Sequence, residues 1–155
     1  MNVSRNTAKK RNPTQALEKT ASILYLDSSA ILRPVLEQGF SPDVEMRIND
    51  ADVLITSRLS LVETARAFLR IRLLGERSEA VVARAEREVM ALWRRCEMWE
   101  LTREVCERAE LVAPRTLVRS LDALHLATFA IARREIDDLE FLTVDRRLQQ
   151  AAEAV

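Results

Sequence analysis

The stretch Ile23-Leu24-Tyr25-Leu26-Asp27-Ser28-Ser29 places the strongest constraint on what this chain can become. Its apolar and aromatic residues are too few for a helix and too continuous for a half-exposed strand, so they predict a short strand buried on both faces. The run stops on a carboxylate, and Ser28 or Ser29 then offers a hydroxyl to cap a helix that begins with Ala30. In an open parallel sheet the carboxyl end of a central strand faces the crevice where such folds bind ligands. Asp27 therefore has two local readings, a plain helix cap or a ligand-facing acid, and the rest of the chain decides between them.

The same pattern returns in Phe141-Leu142-Thr143-Val144, which ends on Asp145. Val53-Leu54-Ile55-Thr56 predicts another strand, and Met98 to Leu101 a third. Between them lie helical segments. One starts at Ser29 and ends near Pro34, and Gly39 and Pro42 bracket the loop that follows. A short polar helix spans Asp43 to Asp50, and Ser57 caps a long one that Gly75 stops. Val81, Val82, Ala85, Val89 and Leu92 recur at helical spacing within 78–95. Further helices are expected over 102–112, broken by Pro114, then over 120–135 and 146–153. Strands alternating with helices predict an α/β domain of three layers, α/β/α, with a mostly parallel central sheet. The length suits one domain, residues 22–155, behind a polar, mildly basic tail over 1–21 that carries Lys9-Lys10-Arg11.

Composition excludes several classes. Lys+Arg and Asp+Glu balance at 24 each, so no overall field favours nucleic acid or membrane, and any charge-based function must be local. Cys96 and Cys106 have no histidine cluster beside them and read as thiols of a reducing compartment. No apolar run approaches membrane-spanning length, and the expected location is cytoplasmic. Neither Gly39 nor Gly75 follows a buried strand, which argues against phosphate-cradling glycine loops and dinucleotide fingerprints. The single histidine, His125, sits in an apolar helical run and reads as packed or hydrogen-bonded rather than as part of a triad.

The acids carry more information. Glu63 lies mid-helix, where Arg66 or Arg70 could pair with it. Asp122 falls in the first turn of its helix, where an anion offsets the dipole. Asp145 repeats the situation of Asp27. Each has a structural explanation taken singly. Taken together, two strand-end acids and two helix acids around one crevice would repel strongly without a cation. All-oxygen ligands with retained waters suit Mg²⁺ or Mn²⁺ rather than zinc.

Four segments carry a family resemblance: Tyr25-Leu26-Asp27-Ser28-Ser29-Ala30; Ser60 to Arg66 around Glu63; Arg119 to Thr128, containing Asp122-Ala123-Leu124-His125-Leu126-Ala127; and Leu142 to Leu148 around Asp145. In this order and spacing they resemble the motifs of PIN-domain nucleases, most closely the VapC toxins of bacterial toxin–antitoxin pairs. The resemblance runs from about Ile23 to the C-terminus. It implies that Asp27, Glu63, Asp122 and Asp145 bind Mg²⁺ or Mn²⁺, with the hydroxyls of Ser28 and Thr143 behind them. It implies a metal-dependent endoribonuclease that hydrolyses RNA phosphodiesters with metal-activated water. Arg66, Arg70 and Arg119 are candidates to hold the RNA backbone. A cognate antitoxin and a homodimer are the expected protein partners. Two departures are the long tail before Ala21 and the end at Val155 without the closing strand of many relatives.

Two other classes compete. Aspartyl-phosphate enzymes and receiver domains normally use a lysine near the phosphoryl group, and no lysine follows Lys19. A non-catalytic PIN-like module that holds RNA or protein is the alternative, and the complete acid set argues against it.

Overall fold

The computed structural model describes residues 21–37 and 41–155. The expected tail over 1–21 lies outside the described residues except for Ala21, as does Gly39 of the expected loop. β1 (Ile23–Leu26) pairs on one side with β2 (Val53–Ser57) and on the other with β4 (Leu139–Leu142), while β3 (Cys96–Trp99) lies outside β2. All three pairings are parallel, giving the order β3-β2-β1-β4.

Alternation along the strands sends successive side chains to opposite faces. Leu24, Leu26 and Leu54 pack against α1 (Ser28–Leu36), α3 (Arg58–Leu74) and α4 (Glu79–Trp93), burying Ile31, Phe68, Val82 and Trp93. Tyr25, Ile55 and Phe141 face α6 (Ser120–Ala132) and α7 (Arg146–Glu153), burying Leu126, Phe129 and Leu148. α5 (Arg103–Ala109) sits beside α6 through Val105, Ala127 and Ile131. α2 (Pro42–Asp50) joins the first layer through Ile48. The architecture is the three-layer α/β/α arrangement, and its sheet is wholly parallel among the described residues.

Several boundaries differ from the sequence expectation. α1 continues through Pro34 to Leu36. The ring removes only the bond to the Ala30 carbonyl, close to the helix end, while burial of Ala30 and Ile31 and the Glu37 N–H to Arg33 O bond (2.8 Å) hold the turn. β3 begins at Cys96, and β4 covers Leu139–Leu142 rather than 141–144, because pairing with β2 and β1 sets their extent. α6 stops at Ala132 instead of running to Glu135, and α5 ends at Ala109. On α4 the buried stripe is Val82, Ala85, Val89 and Trp93, leaving Val81 facing outward.

Candidate active site

The early end of β4 frees Thr143 and Asp145 from the sheet and brings them to the carboxyl end of β1. There the Asp27 N–H still reaches the Leu142 carbonyl at 3.3 Å. The Asp27 side chain is 3% exposed and caps α1, its Oδ1 accepting from the Ala30 N–H at 2.9 Å. Ser29 Oγ donates to the same carboxylate at 2.8 and 2.9 Å, and Thr143 Oγ1 donates to Oδ2 at 2.7 Å. Burial pushes the Asp27 carboxyl above its ordinary value; these donors and the attraction of His125 offset that only in part. A carboxylate in this state is one that a cation would relieve.

Glu63 projects from α3 into the same region. Its Oε2 lies 2.7 Å from His125 Nε2, and the carboxylate remains 20% exposed. Burial alone would raise its carboxyl. The hydrogen bond and attraction of His125, with the Ser28 hydroxyl, hold it below the ordinary value instead. Of the local alternatives, neither Arg66 nor Arg70 pairs with Glu63 among the described residues; its partner is the histidine of α6, 62 residues away. That ring is 2% exposed, and its Nδ1 lies 3.1 Å from the Tyr25 hydroxyl.

The other two acids stand differently. Asp145 is exposed and caps α7, with Oδ1 accepting from the Arg147 and Leu148 N–H groups at 2.8 and 3.4 Å. Its own N–H donates to Thr143 Oγ1 at 3.1 Å, so one hydroxyl joins the Asp27 carboxylate to the Asp145 backbone. Asp122 lies half-buried in the first turn of α6, one turn before His125. Arg66 and Arg70 are exposed on α3 and line, with Ser28, Leu32, Glu63 and Leu121, a groove of about 760 Å³. Arg119 is exposed at the start of α6.

Three participants escaped the sequence reading: Ser29, Tyr25 and the site role of His125. Tyr25 was legible in principle, because residues two apart at a strand end point the same way and it precedes Asp27 by two. His125 lies one helical turn beyond Asp122, which puts both on neighbouring parts of one helix face.

Among the described residues, no group of three or more His, Cys, Asp or Glu side chains is gathered to hold a metal ion. The donor set nonetheless fits a hard divalent cation. Mg²⁺ is commonly held by one or two carboxylates and completes its shell with water. Asp27, buried and raised by that burial, and Glu63, partly open to the groove, are the two carboxylates that would supply such a pair.

The fold and this site define a parallel α/β domain with a buried aspartate at the carboxyl end of its central strand and Glu63 of α3 facing the groove beside it. The PIN domain family model matches residues 24–154, and the chain belongs to that family. Within it, the chain is similar to ribonuclease VapC35 of Mycobacterium tuberculosis, with 30% identity over 135 residues, covering 86% of this chain and 92% of the relative. It is also similar to ribonuclease VapC47 of the same organism, with 29% identity over 130 residues, covering 81% and 87%. Among solved structures it resembles PAE2754 from Pyrobaculum aerophilum (TM-score 0.61, 18% identity, 94% of this chain and 91% of that one). It also resembles a chain of VapBC2 from Rickettsia felis, a structure bound to a DNA fragment from its promoter (TM-score 0.52, 11% identity, 79% and 99%). At those identities the two structures speak to the fold.

Proposed function

We propose that this protein is a metal-dependent endoribonuclease and the toxin of a toxin–antitoxin pair. The observation that carries the reading is the buried, hydroxyl-ringed carboxylate of Asp27 at the end of β1, with Glu63 close by, in a chain that matches the PIN domain from end to end of its sheet. Similarity to ribonucleases of the VapC type supports RNA as the substrate.

Asp27 and Glu63 would hold Mg²⁺ or Mn²⁺, with Asp122 and Asp145 at the edge of the same site. Such a cation acidifies a water and offsets charge on a phosphodiester. The chain's own residues do the rest. Ser29 and Thr143 fix the Asp27 carboxylate, and Ser28 and His125 fix Glu63. Arg66 and Arg70, exposed along the groove beside Glu63, would take RNA phosphates on one side, and Arg119 at the start of α6 would extend that track. These arginines enter no ion pair among the described residues, so they are available to an anion.

The partner surfaces follow from exposed apolar side chains. Val62, Leu69, Leu73 and Leu74 on α3, with Leu121, form an exposed apolar strip beside the site that supports a homodimer. A groove of about 590 Å³ between α1, α2 and α4, floored by Ile31, Val35, Ile48 and Leu92, suits a helix of the antitoxin. No helix among the described residues is long and apolar enough to cross a membrane; the proposed location is the cytoplasm.

The test is cleavage of single-stranded and structured RNA by the purified full chain. Cleavage should require Mg²⁺ or Mn²⁺, stop on addition of EDTA and disappear in Asp27→Ala. Cleavage that persists in EDTA and in Asp27→Ala would contradict the mechanism, and RNA binding with no cleavage under any metal would favour a non-catalytic module.

A further inference from the structure

The Glu63 carboxylate is held from the core by a chain of two buried side chains, neither of which reaches the groove. Tyr25 is fully buried in β1, its ring stacked on Phe141 with centroids 5.3 Å apart and tilted against Phe129 at 5.9 Å. That packing leaves its hydroxyl little freedom, and the hydroxyl meets His125 Nδ1 at 3.1 Å. The opposite ring nitrogen, Nε2, meets Glu63 Oε2 at 2.7 Å. An ionised carboxylate offers only acceptors, so Nε2 must carry the hydrogen in this contact. At Nδ1 the Tyr25 hydroxyl anchors the ring, accepting if that nitrogen carries a hydrogen and donating if it does not.

This arrangement removes His125 from the roles usually given to a histidine in a hydrolase. A general base must reach the proton it removes. His125 is 2% exposed with both nitrogens engaged, so it cannot accept a proton from water in the groove. What it can do is fix the direction of the Glu63 lone pairs. Glu63 stands mid-helix on a flexible side chain, 20% exposed, and without the ring its carboxylate would be free to turn along the groove wall.

We infer that His125 is the positioning residue of this site: Tyr25 anchors its ring at Nδ1, and its Nε2–H aims the Glu63 carboxylate at the divalent ion. The inference rests on the metal-dependent reading above. It differs from a plain core-filling role, under which any side chain of suitable volume would serve. Hydrogen-bonded partners behind a metal-holding group commonly change metal affinity or activity by about 10–100-fold when lost.

His125 is the sole histidine of the chain, so its ring signals can be read in the full-length protein without assignment. With ¹⁵N-labelled histidine, the expected spectrum shows a protonated Nε2. Titration with Mg²⁺ in the absence of RNA should move the Nε2 resonance with the same midpoint as binding, and Glu63→Gln should abolish that response. In parallel, Mn²⁺ affinity measured without RNA should fall by about 10–100-fold in His125→Leu and recover most of the way in His125→Gln, whose amide can still donate to Glu63. Should His125→Leu fail to fold, the wild-type ring spectrum and Tyr25→Phe decide the matter; Tyr25→Phe should free the ring to turn and weaken Mn²⁺ binding. An unprotonated Nε2 in the wild type, or Mg²⁺ binding that leaves Nε2 unmoved, overturns the inference while leaving metal dependence standing. A wild type that binds neither Mg²⁺ nor Mn²⁺ overturns the underlying reading and the inference with it.

Discussion

Asp27 and Asp145 look alike in sequence and sit side by side in space, yet their surroundings have made them different groups. Each follows a buried strand, those strands are hydrogen-bonded neighbours, and each caps the helix that comes next. Asp145 does so in solvent, using Oδ1 for two N–H donors at the head of α7. Asp27 does so inside the protein, where Ser29 and Thr143 add hydroxyl donors to both of its oxygens. A helix cap needs one good acceptor. The extra donors and the burial at Asp27 exceed what capping requires, and in the proposed mechanism that excess sets Asp27 apart as the metal-holding acid of the pair.

Substitutions can break or sharpen this contrast. The largest expected effect is on cleavage. Asp27→Asn keeps a cap but removes the charge, and should lower the cleavage rate by roughly 10²–10³-fold, the loss typical of one preorganised electrostatic group. Asp145→Asn should cost about tenfold, as for a group at the margin of a metal site. Equal losses at both positions, in single-turnover assays at saturating Mg²⁺, would erase the distinction.

Next in size is the hydroxyl that links them. Thr143→Val removes a donor from a buried carboxylate and an acceptor from the Asp145 N–H. A hydrogen bond to a charged group contributes about 1.5–3 kcal/mol, and urea unfolding should show a loss of that order. A change of a few tenths would mean that Asp27 does not depend on its ring of donors.

The cap at Asp145 is worth less. Asp145→Ala should cost about 0.5–2 kcal/mol, and Asp145→Asn only a few tenths, since asparagine caps nearly as well. Thermal unfolding without metal would check both.

The smallest effect is a pH signature at Asp27. Burial raises its carboxyl in the folded state above the ordinary 3.8, so the folded protein holds that proton more tightly than the unfolded chain. The contribution is therefore fully present below the unfolded value and is lost as pH rises through the folded one. Wild type should lose stability relative to Asp27→Asn as pH rises from about 4 toward neutrality, in melts of metal-free protein. A difference that stays flat over this window would mean the carboxylate is as well solvated as a surface acid.

Much of this molecule could be read from sequence, for identifiable reasons. Buried parallel strands announce themselves as short apolar runs, and the caps at Ser57 and Asp145 form where the sequence places them. Strand ends were less legible, because the pairing Leu26↔Leu142, not the hydrophobicity of Thr143-Val144, decides where β4 stops. That shift matters chemically, since it turns Thr143 from a strand residue into a ligand of Asp27. Pro34 misled for a related reason: packing of Ala30 and Ile31 outweighs a local breaker near the helix end. The partner of Glu63 was hidden because sequence reasoning looks three or four residues along a helix. The actual partner comes from α6, across a contact that only the folded chain creates. Identical strand-acid-helix patterns likewise gave no hint that one acid would be buried and the other exposed.

The most direct test of the central claim, that Asp27 is a buried acid waiting for a cation, is a set of thermal melts of wild type and Asp27→Asn, each in EDTA and in Mg²⁺. The account predicts that metal-free Asp27→Asn melts at or above wild type, because a buried charge has been removed and the cap kept. It predicts that Mg²⁺ raises the wild-type melting temperature, by the equivalent of about 2.7 kcal/mol at a hundredfold excess over its dissociation constant, and leaves Asp27→Asn unmoved. Destabilised Asp27→Asn together with a wild type indifferent to Mg²⁺ would contradict it, and would make Asp27 a helix cap like its neighbour.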